Sequence, residues 1–381
     1  MRRTGTSTAA LRLALWLGPW AGDRTPSGVS RREVVLAGGI RAYVHRPARA
    51  RGVYLVAPGL HYLGPDDPRL DRFCRVLARA GFVVVAPFLP DFLALRIAPE
   101  TARDLGAAFD HACAIADRER LPGPAVFSIS FGSRPAIELC ASPAGRRASA
   151  LVLFGGFCDF DATVRFAITG RAEDRGERIE VPHDPLNAPV VHLNLLPFHA
   201  RARALDREAL ARALREMVVS TWGRPELKIG EARARHADRI AEGLGPRERA
   251  FFYGACGLSR GLKGEELLEE GLASCGDAFA WADPRPHLAR FSREGPEVVI
   301  VHGRDDDVIP WLEASKLAAA LPDAHRREVI LTGLYGHTGA SMPGPRAAIA
   351  EACALVNVVQ RLARAPRARS DEERTLRSRG A

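Results

Sequence analysis

Lysine is almost missing from this 381-residue chain: three of its 54 basic residues are lysine and the rest are arginine. Cysteine is sparse too. The seven cysteines are odd in number and widely separated, with no CxxC pair, which speaks against a disulfide framework or a zinc-binding knuckle and for reduced, buried thiols in a cytosolic protein. No apolar run reaches 18 residues, so no stable membrane span is expected. Leu13–Ala21 follows Arg2 and Arg3 as in a secretory signal, but Arg12 interrupts the stretch and no AxA-like cleavage site follows; the expected location is cytoplasmic, with export the minority reading. Glycine patterns that cradle phosphates, GxGxxG and GxxxxGK, are absent from strand-to-helix turns, so no cofactor is expected. His192 with His199, and His183 beside Asp184, have no recognisable ligand spacing, so no metal is expected either.

What remains is globular. The chain is 47% apolar and 26% charged, which excludes fibrous, disordered and membrane-embedded classes. The net charge of +9 would by itself suggest nucleic acid or anionic membrane partners. Its location argues otherwise. Residues 1–32 contribute +5 and residues 361–381 contribute +4, so residues 33–360 sum to zero. The body is neutral, no nucleic-acid partner is expected, and the arginine-rich ends read as a loosely ordered arm (1–32) and a disordered tail (363–381) that the folded body should not need.

Two alternating segments, Glu33–Leu36 and Ile40–Val44, flank Gly38 and Gly39 and read as a hairpin. Six continuously apolar, β-branched runs follow at Val53–Gly59, Phe82–Phe88, Ala125–Ser130, Ala150–Gly156, Glu297–Gly303 and Glu328–Gly333, the composition of strands buried on both faces. Between them apolar residues recur every three or four positions, as in Leu70, Phe73, Cys74 and Leu77, or Leu105, Ala108, Phe109 and Ala112. A last helix is expected from about Arg346 to Leu362. Strand and helix alternate, which predicts an α/β fold with a mostly parallel sheet flanked by helices. The rhythm breaks once, between Gly156 and Glu297, where residues 157–296 read as a largely helical insert with helices at Arg201–Thr221 and Glu265–Ala273. The core then comprises residues 33–156 and 297–362.

The chemistry sits where strands end. Ser128-Ile129-Ser130-Phe131-Gly132 places a serine on a strand-to-helix turn between small residues, a turn that lifts the hydroxyl clear of the sheet and aims the helix N-terminus at it. Past the strand EVVIV lies His302-Gly303-Arg304-Asp305-Asp306-Asp307-Val308-Ile309-Pro310, and past EVILTG lies Leu334-Tyr335-Gly336-His337-Thr338-Gly339. A serine hydroxyl needs a base near pKa 6.5, and that base needs an anion to fix its tautomer. Serine, acid and histidine appear in the hydrolase order.

With these motifs the sequence resembles the α/β-hydrolase superfamily over residues 33–156 and 297–362; the insert resembles nothing identifiable. The resemblance implies Ser130 as nucleophile, Asp306 as acid through an HGxxDxxVP-like pattern, with Asp305 and Asp307 as stand-ins, and His337 as base. It implies an oxyanion hole from the amides of Phe131 and Leu60, although Pro58 stands where the family usually has histidine and Ser128 where it has glycine. His61 reads either as site lining or as a surface loop residue. Trp222, Phe251, Phe252, Tyr253, Phe279 and Trp281 read either as an acyl pocket or as the core of the insert. The expected activity is cleavage of a small-molecule carboxylic ester with an apolar acyl or aromatic part. Thioester, amide or C–C hydrolysis and acyl transfer remain open on the same triad, as does a non-catalytic binding protein; the oligomeric state is undetermined.

Overall fold

The computed structural model describes residues 3–18, 20–174, 176–258, 261–333 and 345–367. Among these, the core is an eight-stranded sheet in the order β1-β2-β4-β3-β5-β6-β9-β10. The strands are β1 (Ser30–Val35), β2 (Arg41–Arg46), β3 (Val53–Ala57), β4 (Val83–Pro87), β5 (Ala125–Ile129), β6 (Ala150–Phe154), β9 (Glu297–Gly303) and β10 (Arg327–Thr332). The first two pair antiparallel with each other, and β2 pairs antiparallel with β4; the rest of the sheet is parallel. The six apolar runs are therefore the six parallel strands. They are continuous in apolar character because helices cover both faces, so successive side chains enter one core or the other. Leu55, Val85, Leu151 and Ile300 face one layer, and Val56, Val84, Val152 and Val301 the other.

Parallel strands end on one edge. The loops that follow β3, β5, β6 and β9, beginning near Pro58, Ser130, Gly155 and Arg304, consequently meet there, although up to some 250 residues of chain lie between them. Ends of this kind are where open α/β sheets place ligands.

Three sequence expectations are corrected. Residues 1–32 are not a loose arm throughout: Arg3–Leu17 is a helix whose Ala9 and Leu13 are fully buried in the same cluster as Leu355 and Val359 of the closing helix Pro345–Arg364. Its register was hidden by apolar residues on every side of the helix. The chain also stays ordered beyond residue 362, because Ala365 and Pro366 are buried and Pro366 packs over Gly52; residues 368–381 lie outside the described residues. Arg201–Thr221 is two pieces, a 3-10 turn at Arg201–Ala204 and a helix at Arg207–Thr221, because Asp206 leaves helical geometry to cap the second, its carboxylate accepting from the amide of Ala209 at 2.9 Å.

Between β6 and β9 the helices build a separate apolar cluster around Leu210, Leu214, Met217, Phe251, Phe252 and Leu267. The same stretch holds a hairpin of β7 (Arg171–Asp174) and β8 (Glu177–Glu180), closed by Gly176 at φ 86°. Strands of four residues, mostly charged and exposed, leave no apolar alternation to read.

Candidate active site

At the end of β5 the chain turns sharply into the helix Ser133–Ala141. Ser130 occupies the left-handed region at φ 50°, a conformation that costs a side-chain-bearing residue about 1 kcal/mol or more and persists only where surroundings enforce it. The enforcement is visible. A Cβ on Gly132 would overlap the carbonyl oxygen of Pro58 and lie 2.8 Å from that of Ala57, so only glycine lets the turn seat on the end of β3. Gly59 is close to the serine from the other side, its notional Cβ 3.5 Å from the Cβ of Ser130. Ser128 is fully buried, its hydroxyl directed at the Val152 carbonyl oxygen 3.4 Å away. The interior thus holds a serine where the resemblance leads one to expect glycine.

The acidic turn after β9 directs Asp306 and Asp307 to different partners. Asp306 Oδ1 accepts from the amides of Val308 and Ile309 at 2.9 and 3.0 Å, and its second oxygen lies 3.6 Å from His302 Nε2. His302 is fully buried and donates to the Ile309 carbonyl at 2.9 Å, closing the turn. Asp307 points away, 2.6 Å from Lys228 Nζ, which also reaches Asp184 at 2.9 Å. The Lys228 ammonium is held above its ordinary pKa: burial opposes the charge, but hydrogen bonds to both carboxylates outweigh it. Asp184 is bonded to the turn again through its amide, which donates to the Asp307 carbonyl at 2.7 Å.

Ser130, Phe131, Leu60, His61 and Asp306 line one cavity of about 820 Å³. The insert supplies much of its wall: Phe160, Val164, Leu195, Leu272 and Phe279 are an apolar side, and Asp184, Asn187, Asn194, Trp222 and Lys228 a polar one. His61 is thus at the cavity rather than on open surface. It stacks on Tyr62, lies tilted against Trp222, accepts from the Leu63 amide at Nδ1, and faces Asp67 with Nε2 at 3.4 Å. Burial lowers its pKa despite Asp67. Of the aromatics weighed for an acyl pocket, Trp222 and Phe279 reach the cavity, while Phe251 and Phe252 are buried in the insert's own core. Tyr253 donates to Asp238, and Trp281 accepts at its carbonyl from Arg134. His337, the expected base, lies outside the described residues.

Two anchors escaped the sequence reading because a lone glutamate in a helical stretch carries no motif. Glu313, fully buried, accepts from the amides of Cys158 and Asp159 at 2.8 Å and fixes the exit of β6. Glu351 accepts from Thr332 Oγ1 and the Gly333 amide, both at 2.8 Å, and fixes the exit of β10 that leads toward residue 337. Among the described residues no group of three or more His, Cys, Asp or Glu side chains is placed to hold a metal.

A mostly parallel eight-stranded sheet with its second strand reversed, helices on both faces, and a left-handed serine turning from the central strand into a helix decide the architecture. The chain has the α/β-hydrolase fold. Neither a protein-family model nor a curated protein matches the sequence. Solved structures do. A brefeldin A esterase, described as a bacterial homologue of human hormone-sensitive lipase, is 17% identical with a TM-score of 0.46, over 96% of this chain and 86% of that one. An esterase of Pyrobaculum calidifontis is 14% identical with a TM-score of 0.43, over 97% and 92%. A Rhizomucor miehei esterase is 13% identical with a TM-score of 0.44, over 94% and 89%. Within this α/β-hydrolase fold, the largest departure from a bare sheet-and-helix core is the stretch between β6 and β9 that walls the cavity.

Proposed function

We propose that the protein is a serine hydrolase that cleaves carboxylic esters, with Ser130 as nucleophile, His337 as general base and Asp306 as the carboxylate orienting it. Ser130 Oγ adds to the ester carbonyl carbon as its proton passes to His337; the oxyanion is held by the amides of Phe131 and Leu60. The C–O bond to the alcohol breaks, the alcohol leaves with the proton from His337, and water then releases the acid from the acyl-enzyme by the same route. Residues 157–296 act as a cap, and their apolar wall of Phe160, Val164, Leu195, Leu272 and Phe279 receives an apolar acyl or aromatic group.

The observation that carries this reading is the strained Ser130, held at φ 50° with its neighbours Phe131, Leu60 and Asp306 on one cavity. A plain tight turn would relax by using glycine at that position. The test is labelling by a fluorophosphonate together with p-nitrophenyl ester turnover. Ser130→Ala should abolish labelling and lower kcat by about 10⁴-fold or more, as should His337→Ala, and Asp306→Asn should lower kcat by a comparable factor. Ester cleavage that survives Ser130→Ala rejects the mechanism. A folded wild type that neither labels nor turns over esters points instead to a binding scaffold, and turnover restricted to thioesters or amides reassigns the substrate on the same triad.

A further inference from the structure

Two basic segments from opposite ends of the described chain come together in space. The helix Arg3–Leu17 packs along Pro345–Arg364, and Arg367 Nη1 lies 3.5 Å from Thr6 Oγ1. The loop between β2 and β3 adds Arg49 and Arg51, the latter packed on Gly81. Partial burial lowers the pKa of Arg51, and the nearby positive charges of Arg367, Arg12 and Arg49 lower it further. Four guanidiniums from three separate segments therefore share one end of the molecule.

Beside this cluster the N-terminal helix exposes an apolar ridge. Ala9 and Leu13 face inward and are fully buried, whereas Leu11 and Leu15, one turn apart on the opposite side, are 62% and 56% exposed. Trp20 follows at 59%. The ridge is not a frayed end, because Arg72 donates to the carbonyls of Trp16, Gly22 and Arg24 at 2.9, 2.8 and 3.0 Å and holds the segment in place. Just inside that clamp, Leu17, Asp23 and Arg72 line the cavity that contains Ser130.

We propose that the outer face of the helix Arg3–Leu17, with Leu11, Leu15 and Trp20 flanked by Arg12, Arg49, Arg51 and Arg367, docks this protein peripherally on an anionic lipid bilayer, with the cavity rim at Leu17 and Asp23 turned toward that surface. Apolar side chains and an indole enter the interfacial zone while arginines meet lipid phosphates, the division of labour of an interfacial helix. No helix among the described residues is long and apolar enough to cross a bilayer, and the docking proposed is peripheral. A second copy of the chain is the weaker occupant, since it would bring this like-charged cluster against itself. The inference does not depend on the catalytic reading.

The full chain is sedimented with vesicles of pure phosphatidylcholine and with vesicles containing 30% phosphatidylglycerol. Binding to the anionic vesicles, lost in 0.5 M NaCl and weak on the neutral ones, is the expected result. The variant Leu11→Ser/Leu15→Ser/Trp20→Ser should bind at least about tenfold more weakly, as should Arg12→Gln/Arg49→Gln, since each surface arginine contributes roughly a fivefold factor. Both variants leave the buried face of the helix intact, and an unchanged thermal midpoint shows that they fold. Absence of vesicle binding by the wild type, equal binding to both vesicle types, or binding unaffected by the substitutions overturns the proposal. So does concentration-dependent dimerisation in sedimentation velocity that the ridge variant abolishes.

Discussion

Lys228 illustrates how a single side chain can tie the insert to the acidic turn after β9. Its ammonium bridges Asp184 and Asp307, and Asp307 adjoins Asp306 in a turn that is otherwise held by two amides and His302. Replacing it by methionine leaves two largely buried carboxylates facing each other without a cation, at a cost of roughly 1–3 kcal/mol. If Asp306 orients the base as proposed, Lys228→Met should also lower ester kcat by roughly tenfold with KM little altered, because a small displacement of that carboxylate would misalign the base. Lys228→Arg should restore most of it. A uniform rise in KM with kcat unchanged would assign Lys228 to substrate binding instead. None of this was legible from the sequence, where Lys228 is an isolated residue some 80 positions from the turn it braces.

Among elements, the insert carries its own acid sensitivity. His192 and His199 are fully buried, their ring centroids 5.6 Å apart, with no hydrogen-bond partner at either ring nitrogen. Burial, and for His192 the neighbouring imidazole, push their pKa values down to about 3 and about 4. Both are therefore neutral when folded but take up a proton near pH 6.5 when unfolded. Their neutral burial is fully tolerated above pH 6.5, and stability falls as the pH drops from there toward 4, by about 2 kcal/mol per imidazole between pH 7 and pH 5. His192→Leu, close in volume and without an ionisable group, should remove about that much of the decline in denaturant unfolding at pH 5 relative to pH 7. An unchanged pH dependence would contradict the assignment. The spacing of seven between these histidines suggested no ligand geometry, and their actual environment, the packing of the insert on Phe251 and Leu195, is a property of assembly alone.

For the molecule as a whole, the chain ends are structural. The helix Arg3–Leu17 buries Ala9 and Leu13 against the closing helix, and Leu17 and Asp23 reach the cavity. Deleting residues 1–25 should therefore lower the thermal midpoint and cost roughly 3 kcal/mol or more, counting only the apolar side chains returned to water. It should also reduce ester turnover, the opposite of what the composition of this segment implies. Deleting residues 368–381, whose arginine-rich composition reads as a tail, should leave ester turnover nearly unchanged. A fully stable, fully active protein lacking residues 1–25 would reject the packing described for the first helix.

The six buried strands, the strand-to-helix turn at Ser130 and the acidic turn at Asp306 were legible in the sequence because each is a local demand. A strand covered on both faces must be apolar throughout, a left-handed serine must have a glycine two residues on, and an acid-bearing turn shows its Asp and Pro in adjacent positions. What tertiary structure alone decided is everything that depends on distant segments meeting: the bracing by Lys228, Glu313 and Glu351, the split of the insert's aromatics between cavity wall and core, and the burial of the first helix. Those outcomes are set by shape and by the exclusion of water across long loops, and such pairings leave no periodicity in either partner.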